Sequence, residues 1–256
     1  MKLLALDTST EQLSLAVQSG ERVWCHRGAG GAQASGRLIP DALALLAQAN
    51  LSLSDLDAVV VGRGPGSFTG LRTACAVAQG LAYGSQRPVL GLETLLSIAP
   101  QVLTQDPAAT RVLAVLDARM QQVYAAAYER RGEVWLAVTP PGLYDPIDLS
   151  LPSHWSDDAS VWIAGNAIAL LDDAPNVLHS PDGTTRRTWH GLPDAEALLQ
   201  LAPAALARGE AVAAADLIPL YLRDKVALTT AEREALKAPS SGAQSATKRT
   251  ATEVTP

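Results

Sequence analysis

The chain is poor in the residues from which most catalytic centres are built. Its two cysteines, Cys25 and Cys75, are too few for a disulfide framework and form no Cys-x-x-Cys pair. Cys75 lies among small apolar residues and reads as a core thiol. The four histidines, His26, His154, His179 and His190, are scattered. Neither His-x-x-x-His nor His-Glu-x-x-His spacing occurs, so no metal site is expected. A Gly-x-Ser-x-Gly elbow is also missing, and no histidine lies near Ser67 in sequence. Positive charge is in deficit: 20 Lys and Arg against 26 Asp and Glu give a net charge of −6. That balance excludes a global field attracting nucleic acid or an anionic membrane. No apolar run approaches the length of a transmembrane helix, and Asp7 interrupts the opening run before it could serve as a signal peptide. A cytoplasmic protein is expected. With 256 residues, 48% hydrophobic and 18% charged, the chain can bury one large core or two smaller ones.

The most informative stretch runs from Asp57 to Arg72, DAVVVGRGPGSFTGLR. It reads as a buried strand, a tight glycine-rich turn and the start of a helix. Gly64, Gly66 and Gly70 remove the Cβ atoms that would stop the backbone approaching another group or taking positive φ. Pro65 holds the helix start beyond itself, and Ser67 or Thr69 can cap the first amides. The positive end of that helix suits an anion or the backbone of a partner. No Gly-Lys-Ser/Thr follows, so the loop is not a phosphate-binding P-loop. On chemistry alone, a tight packing turn is the favoured reading over a phosphate cradle.

An internal echo sets the organisation. Leu3–Asp7, Gln12–Val17, a turn at Gly20 and Arg22–Trp24 are matched by Leu113–Asp117, Gln122–Ala127, a turn at Gly132 and Val134–Trp135. Each copy is an apolar strand ending in aspartate, followed by two more strands. Patterning places helices over 37–48, 69–83, after Glu93, and over 194–206, with strands at 58–61, 89–92 and 161–164. Two α/β lobes follow, 1–105 and 106–228, with a disordered tail over 229–256 that is rich in Ser, Thr and Ala. The helix from Leu38 to Ala47 is apolar nearly all round, and the next carries small residues in two rows, Ala74, Ala78, Ala82 and Ala76, Gly80, Gly84. Helices apolar on two faces call for cover on both. Leu38, Ile39, Leu45, Leu46, Ala74, Ala78 and Leu81 are the expected interface with another subunit.

The loop string GRGPGSFTGLR (Gly64, Pro65, Gly66, Ser67, Phe68, Thr69, Gly70 and Arg72 within it) resembles the signature of the bacterial TsaB (YeaZ) family. The likeness extends to the opening LALDTST, the helix start at Arg37–Pro40, Asp117–Met120 with Val123-Tyr124, Gly165-Asn166 and Pro219–Arg223. The duplicated lobes are similar to the RNase H-like lobes of the actin, hexokinase and Hsp70 (ASKHA) superfamily. In that superfamily aspartates such as Asp7 and Asp117 hold nucleotide phosphates and metal. Here the glycine that normally follows is absent: the turns read Asp7-Thr8-Ser9-Thr10 and Asp117-Ala118-Arg119-Met120, and Ala164–Ala167 keeps one glycine. Asp7, Thr8, Ser9, Thr10 and Asp117 therefore form only a weak candidate nucleotide or anion site. No cofactor is required, and weak ATP or ADP binding is left open.

The resemblance implies a non-catalytic dimerisation or scaffold subunit of the complex that makes threonylcarbamoyladenosine beside the tRNA anticodon. Its partners would be a TsaD-like catalytic paralogue and a TsaE-like ATPase, with a homodimer in isolation and tRNA reached through the complex. The metal-binding His-x-x-x-His of the catalytic paralogue falls at Ala34 and Leu38 here. Alternatives are an ATP-dependent kinase-like phosphotransferase on the same fold and, behind it, a glycoprotease-like peptidase.

Overall fold

A computed structural model describes residues 1–31 and 34–223; the expected tail over 229–256 lies outside the described residues. The first half contributes β1 (Lys2–Asp7), β2 (Gln12–Ser19), β3 (Arg22–Ala29), α1 (Ala34–Gln48), β4 (Ala58–Gly62), α2 (Phe68–Ser85) and β5 (Val89–Leu92). The second contributes β6 (Arg111–Asp117), β7 (Val123–Arg131), β8 (Val134–Tyr144), β9 (Trp162–Gly165), α3 (Pro175–Leu178), β10 (Arg187–Trp189) and α4 (Ala195–Ala207).

Each half forms one five-stranded sheet, in the orders β3-β2-β1-β4-β5 and β8-β7-β6-β9-β10. In both, an antiparallel meander of three strands is extended by two parallel strands beside the first. The two orders are the same plan written twice, which is the duplicated α/β architecture that the internal echo implies. The central strand β1 is apolar on both faces because both are covered. Leu4 and Leu6 pack beneath α1 and α2 with Leu13, Leu15, Val59 and Val61. Leu3 and Ala5 face α4 with Val60 and Leu90. At the edge, β3 alternates exposed and half-buried residues.

The packing crosses between the halves. Helix α4, late in the chain, lays Ala195, Leu198, Leu199, Ala202 and Ala205 on the first sheet. Its first amide donates to the buried Ser14 hydroxyl at 2.9 Å, and its cap Asp194 pairs with Arg27 at 2.6 Å. In return Leu95, Ile98, Ala99 and Val102 of the first half cover one face of the second sheet. The helix expected after Glu93 is a 3₁₀ segment, Leu95–Thr104. Pro100 in its middle has no amide to donate to Leu96, which weakens a regular α-helix there. The Tyr128 hydroxyl donates to Glu93 at 3.0 Å and ties β7 to the end of β5.

Candidate functional site

The glycine-rich loop is a clamp on its own chain. A Cβ at Gly66 would lie 2.6 Å from the Ser9 carbonyl oxygen, and one at Gly70 would lie 1.9 Å from that of Thr8. Gly64, at φ +123°, passes so close to Leu220 that a Cβ would meet its carbonyl oxygen at 2.5 Å. Those approaches are held by hydrogen bonds. Ser67 N donates to Ser9 O at 2.7 Å, Thr8 Oγ1 to Gly70 O at 2.8 Å, and Leu220 N to Arg63 O at 2.7 Å. Pro65 follows Gly64 through a cis bond. Ser67 caps α2 by accepting from Gly70 N, while Thr69 lies inside the helix. A carbonyl from the β1–β2 turn thus meets the start of α2.

That packing consumes the first candidate anion turn. Asp7, Thr8 and Ser9 are all buried, and Thr10 accepts from Gln12 N at 3.3 Å. Asp7 is 1% exposed; its Oδ1 accepts from Ser9 N at 2.8 Å and Ser9 Oγ at 2.5 Å. Its Oδ2 has no hydrogen-bond partner and sits where a Cβ on Gly62 would be 1.8 Å away. Burial pushes the Asp7 carboxyl up to about 6, against the two Ser9 bonds that pull it down. At the second turn, Asp117 accepts from Arg119 N at 2.7 Å and pairs with the Arg119 guanidinium at 3.1 Å. Its own amide donates to Asn166 at 2.9 Å. Arg119, Met120 and Gln121 are three successive residues with positive φ, 63°, 56° and 62°. This turn carries side chains where a phosphate loop would present bare backbone.

A strap formed by residues 217–223 joins the two turns. Leu217 packs under α2 in the first core, and Leu222 packs against the second. Between them, the Tyr221 ring stands 5.1 Å from the Phe68 ring, and its hydroxyl accepts from Arg72 Nε at 3.1 Å. The Arg72 guanidinium lies over Phe68 at 3.8 Å. Arg223 then donates to the Ala118 and Arg119 carbonyls at 3.0 and 3.4 Å. Sequence reasoning marked Phe68, Arg72 and Tyr221 separately but missed their meeting, for no local signal links residues 149 positions apart.

The expected interface set needs correction. Leu38, Leu45, Leu46, Ala74, Ala78 and Leu81 are buried in the core beneath α1 and α2, so a second chain cannot reach them. Helical periodicity turns them to the sheet at i, i+4 and i+7 or i+8 spacing. Of the seven, Ile39 alone faces outward, at 42% exposure. Leu43, one turn on in α1, is 44% exposed, and on α2 Tyr83 is 81% exposed with Ala76, Gly80 and Gly84 also exposed. The outward row of α2 is thus the second small-residue row. Ala34 and Leu38, at the positions of the paralogue's metal histidines, pack in the core. Among the described residues no group of three His, Cys, Asp or Glu gathers to hold a metal ion. No helix of the described residues is long and apolar enough to cross a membrane.

Similarity to known proteins is extensive. Residues 32–231 match the family model described as TsaD: tRNA N6-adenosine threonylcarbamoyltransferase. A tRNA threonylcarbamoyladenosine biosynthesis protein TsaB from Escherichia coli is 36% identical over 89% of this chain and 96% of its own. Its namesake from Haemophilus influenzae is 32% identical over 88% and 95%. A solved structure of YeaZ from Pseudomonas aeruginosa superposes with a TM-score of 0.75 at 36% identity, covering 86% of this chain and 99% of that one.

Proposed function

Because the chain belongs to the TsaB (YeaZ) family of tRNA threonylcarbamoyladenosine biosynthesis proteins, we propose that it acts there as a non-catalytic scaffold. In this reading the outward ridge of α1 and α2 pairs with a TsaD-like catalytic paralogue and favours that subunit's active conformation. A TsaE-like ATPase completes the assembly, tRNA is reached through the complex, and without the paralogue a second copy of this chain takes the same ridge. The complex works in the cytoplasm.

The observation that carries the reading is the ridge itself. Ile39, Leu43 and Tyr83 leave apolar and aromatic surface uncovered, while Ala76, Gly80 and Gly84 let a partner helix come close. The closed Asp7 turn supports the non-catalytic part. The Thr8 and Ser9 hydroxyls and the Ser9 amide and carbonyl are engaged within the chain, whereas a phosphotransferase needs such groups turned to its nucleotide.

Leu43→Asp and Gly80→Arg test the ridge at exposed positions, and a Cβ on Gly80 meets nothing within 4 Å. Each variant should keep the wild-type circular dichroism spectrum and lose co-elution with the catalytic paralogue in size-exclusion chromatography. Wild-type pairing by both variants would refute the assignment.

A further inference from the structure

We infer that the Phe68–Arg72–Tyr221 stack and the neighbouring Arg119 form a platform for unpaired RNA bases, an inference that rests on the chain's part in tRNA modification. Phe68 is the single phenylalanine of the chain. Its ring is not hidden in a core: Arg72 lies over one face, and the tilted Tyr221 ring packs beside it at 39°. Arg72 is itself exposed, and Tyr221 is 41% exposed, so the stack is open to solvent. Unpaired bases stack on such surfaces, arginine planes included, and tolerate any sequence because every base has a π face.

Charge converges on the same place. Two residues after Tyr221, Arg223 grips the carbonyls of the Asp117 turn, with one guanidinium nitrogen 3.3 Å from Met120 Sδ. That turn carries Arg119 outward, its side chain 78% exposed. Three successive positive-φ residues without glycine hold it there, a strained arrangement for L side chains. Arg72, Arg119 and Arg223 thus lie along one continuous set of contacts. Asp117, the carboxylate among those contacts, is already bonded to Arg119. In a chain of net charge −6, three arginines on connected segments, with Asp117 bonded to Arg119 and Asp145 to Gln122, are suited to phosphates.

Position completes the case. Arg72 lies one helical turn before Ala76 on the exposed row of α2, so the platform adjoins the pairing ridge. A loop of RNA stacked there would lie at the border of the scaffold and its catalytic partner. The platform would position RNA, with the chemistry remaining the partner's.

The test uses the full chain and a fluorescein-labelled 17-nucleotide anticodon stem-loop, with an RNA hairpin of longer stem and minimal loop as control. Fluorescence anisotropy should show tighter binding of the stem-loop than of the hairpin. Arg72→Gln and Arg119→Gln should each weaken it about fivefold to tenfold and flatten the logarithmic salt dependence by about one unit. Tyr221→Leu should reduce ultraviolet cross-linking to the loop, with thermal melting reported alongside for each variant. Equal affinity for stem-loop and hairpin, or wild-type binding by both arginine variants, would overturn the platform. So would unchanged RNA binding with lost pairing in Arg72→Gln, which would give the patch to a protein contact. Pairing with the catalytic paralogue is measured separately, so failure of RNA binding with pairing intact refutes the platform and spares the scaffold.

Discussion

Replacing Asp7 by Asn should change how stability depends on pH more than it changes stability itself. Asp7 is buried, one of its oxygens lacks a partner, and its carboxyl is pushed from 3.8 to about 6. A raised carboxyl means that the folded protein holds this proton more tightly than the unfolded chain. The resulting stabilisation is full below about 4 and is lost as pH rises through about 6. The full difference of about two pKa units is worth about 3 kcal/mol. Between pH 4.5 and 7.5, linkage assigns about 2 kcal/mol of loss to the wild type. Asparagine keeps an oxygen for the Ser9 donors and carries no ionisable proton. The amide it places against Gly62 adds a cost that does not vary with pH. Urea unfolding of both proteins at the two pH values isolates the effect, because shared titrations cancel in the difference. The variant should gain about 2 kcal/mol on the wild type between pH 4.5 and 7.5. Parallel pH profiles would refute the account of Asp7 as an uncompensated buried acid.

Other perturbations have equally direct readings. Gly70→Ala forces a Cβ against the Thr8 carbonyl, and urea unfolding should show a loss of about 3 kcal/mol. Arg186, buried in the second half, donates to the carbonyls of Ser156, Asp158, Asn176, Val177 and His179. Arg186→Met strands those acceptors, at a cost of about 3–5 kcal/mol and a fall in melting temperature on the order of 10 °C by calorimetry. Ala78→Asp buries a charge in the first core, so the soluble folded fraction by circular dichroism should collapse, whereas Leu43→Asp at the surface should fold normally.

The parts of the fold that were legible in the sequence are those fixed by short-range pattern. Apolar runs placed β1, β4 and β5 because those strands are covered on both faces, and the repeated aspartate-ended strand announced two sheets of like order. Glycine spacing at 64, 66 and 70 signalled a close approach without saying to what; the answer, Ser9, Thr8 and Leu220, depends on long-range packing. The inward and outward faces of α1 and α2 were not separable, since alanine, leucine and glycine occupy both. Sheet contact chose between them, and it took Ala74 and Ala78 while leaving Ala76 and Gly80 outside. The Arg72–Tyr221 bond, the Asp194–Arg27 pair and the docking of α4 on Ser14 leave no trace in periodicity.

The exchange of covering elements between the halves has a consequence for biogenesis. A ribosome delivers β1 to β5 well before α4, yet Leu3, Ala5, Val60 and Leu90 are shielded only when α4 arrives. A nascent chain whose first 110 residues have cleared the exit tunnel therefore carries a complete first sheet with one greasy face open to water, to chaperones and to other nascent chains. Limited proteolysis of stalled chains should find β1 and β4 cleavable at that length and protected once residue 207 has cleared the exit tunnel. Folding of the first half is thereby timed by the synthesis of the second.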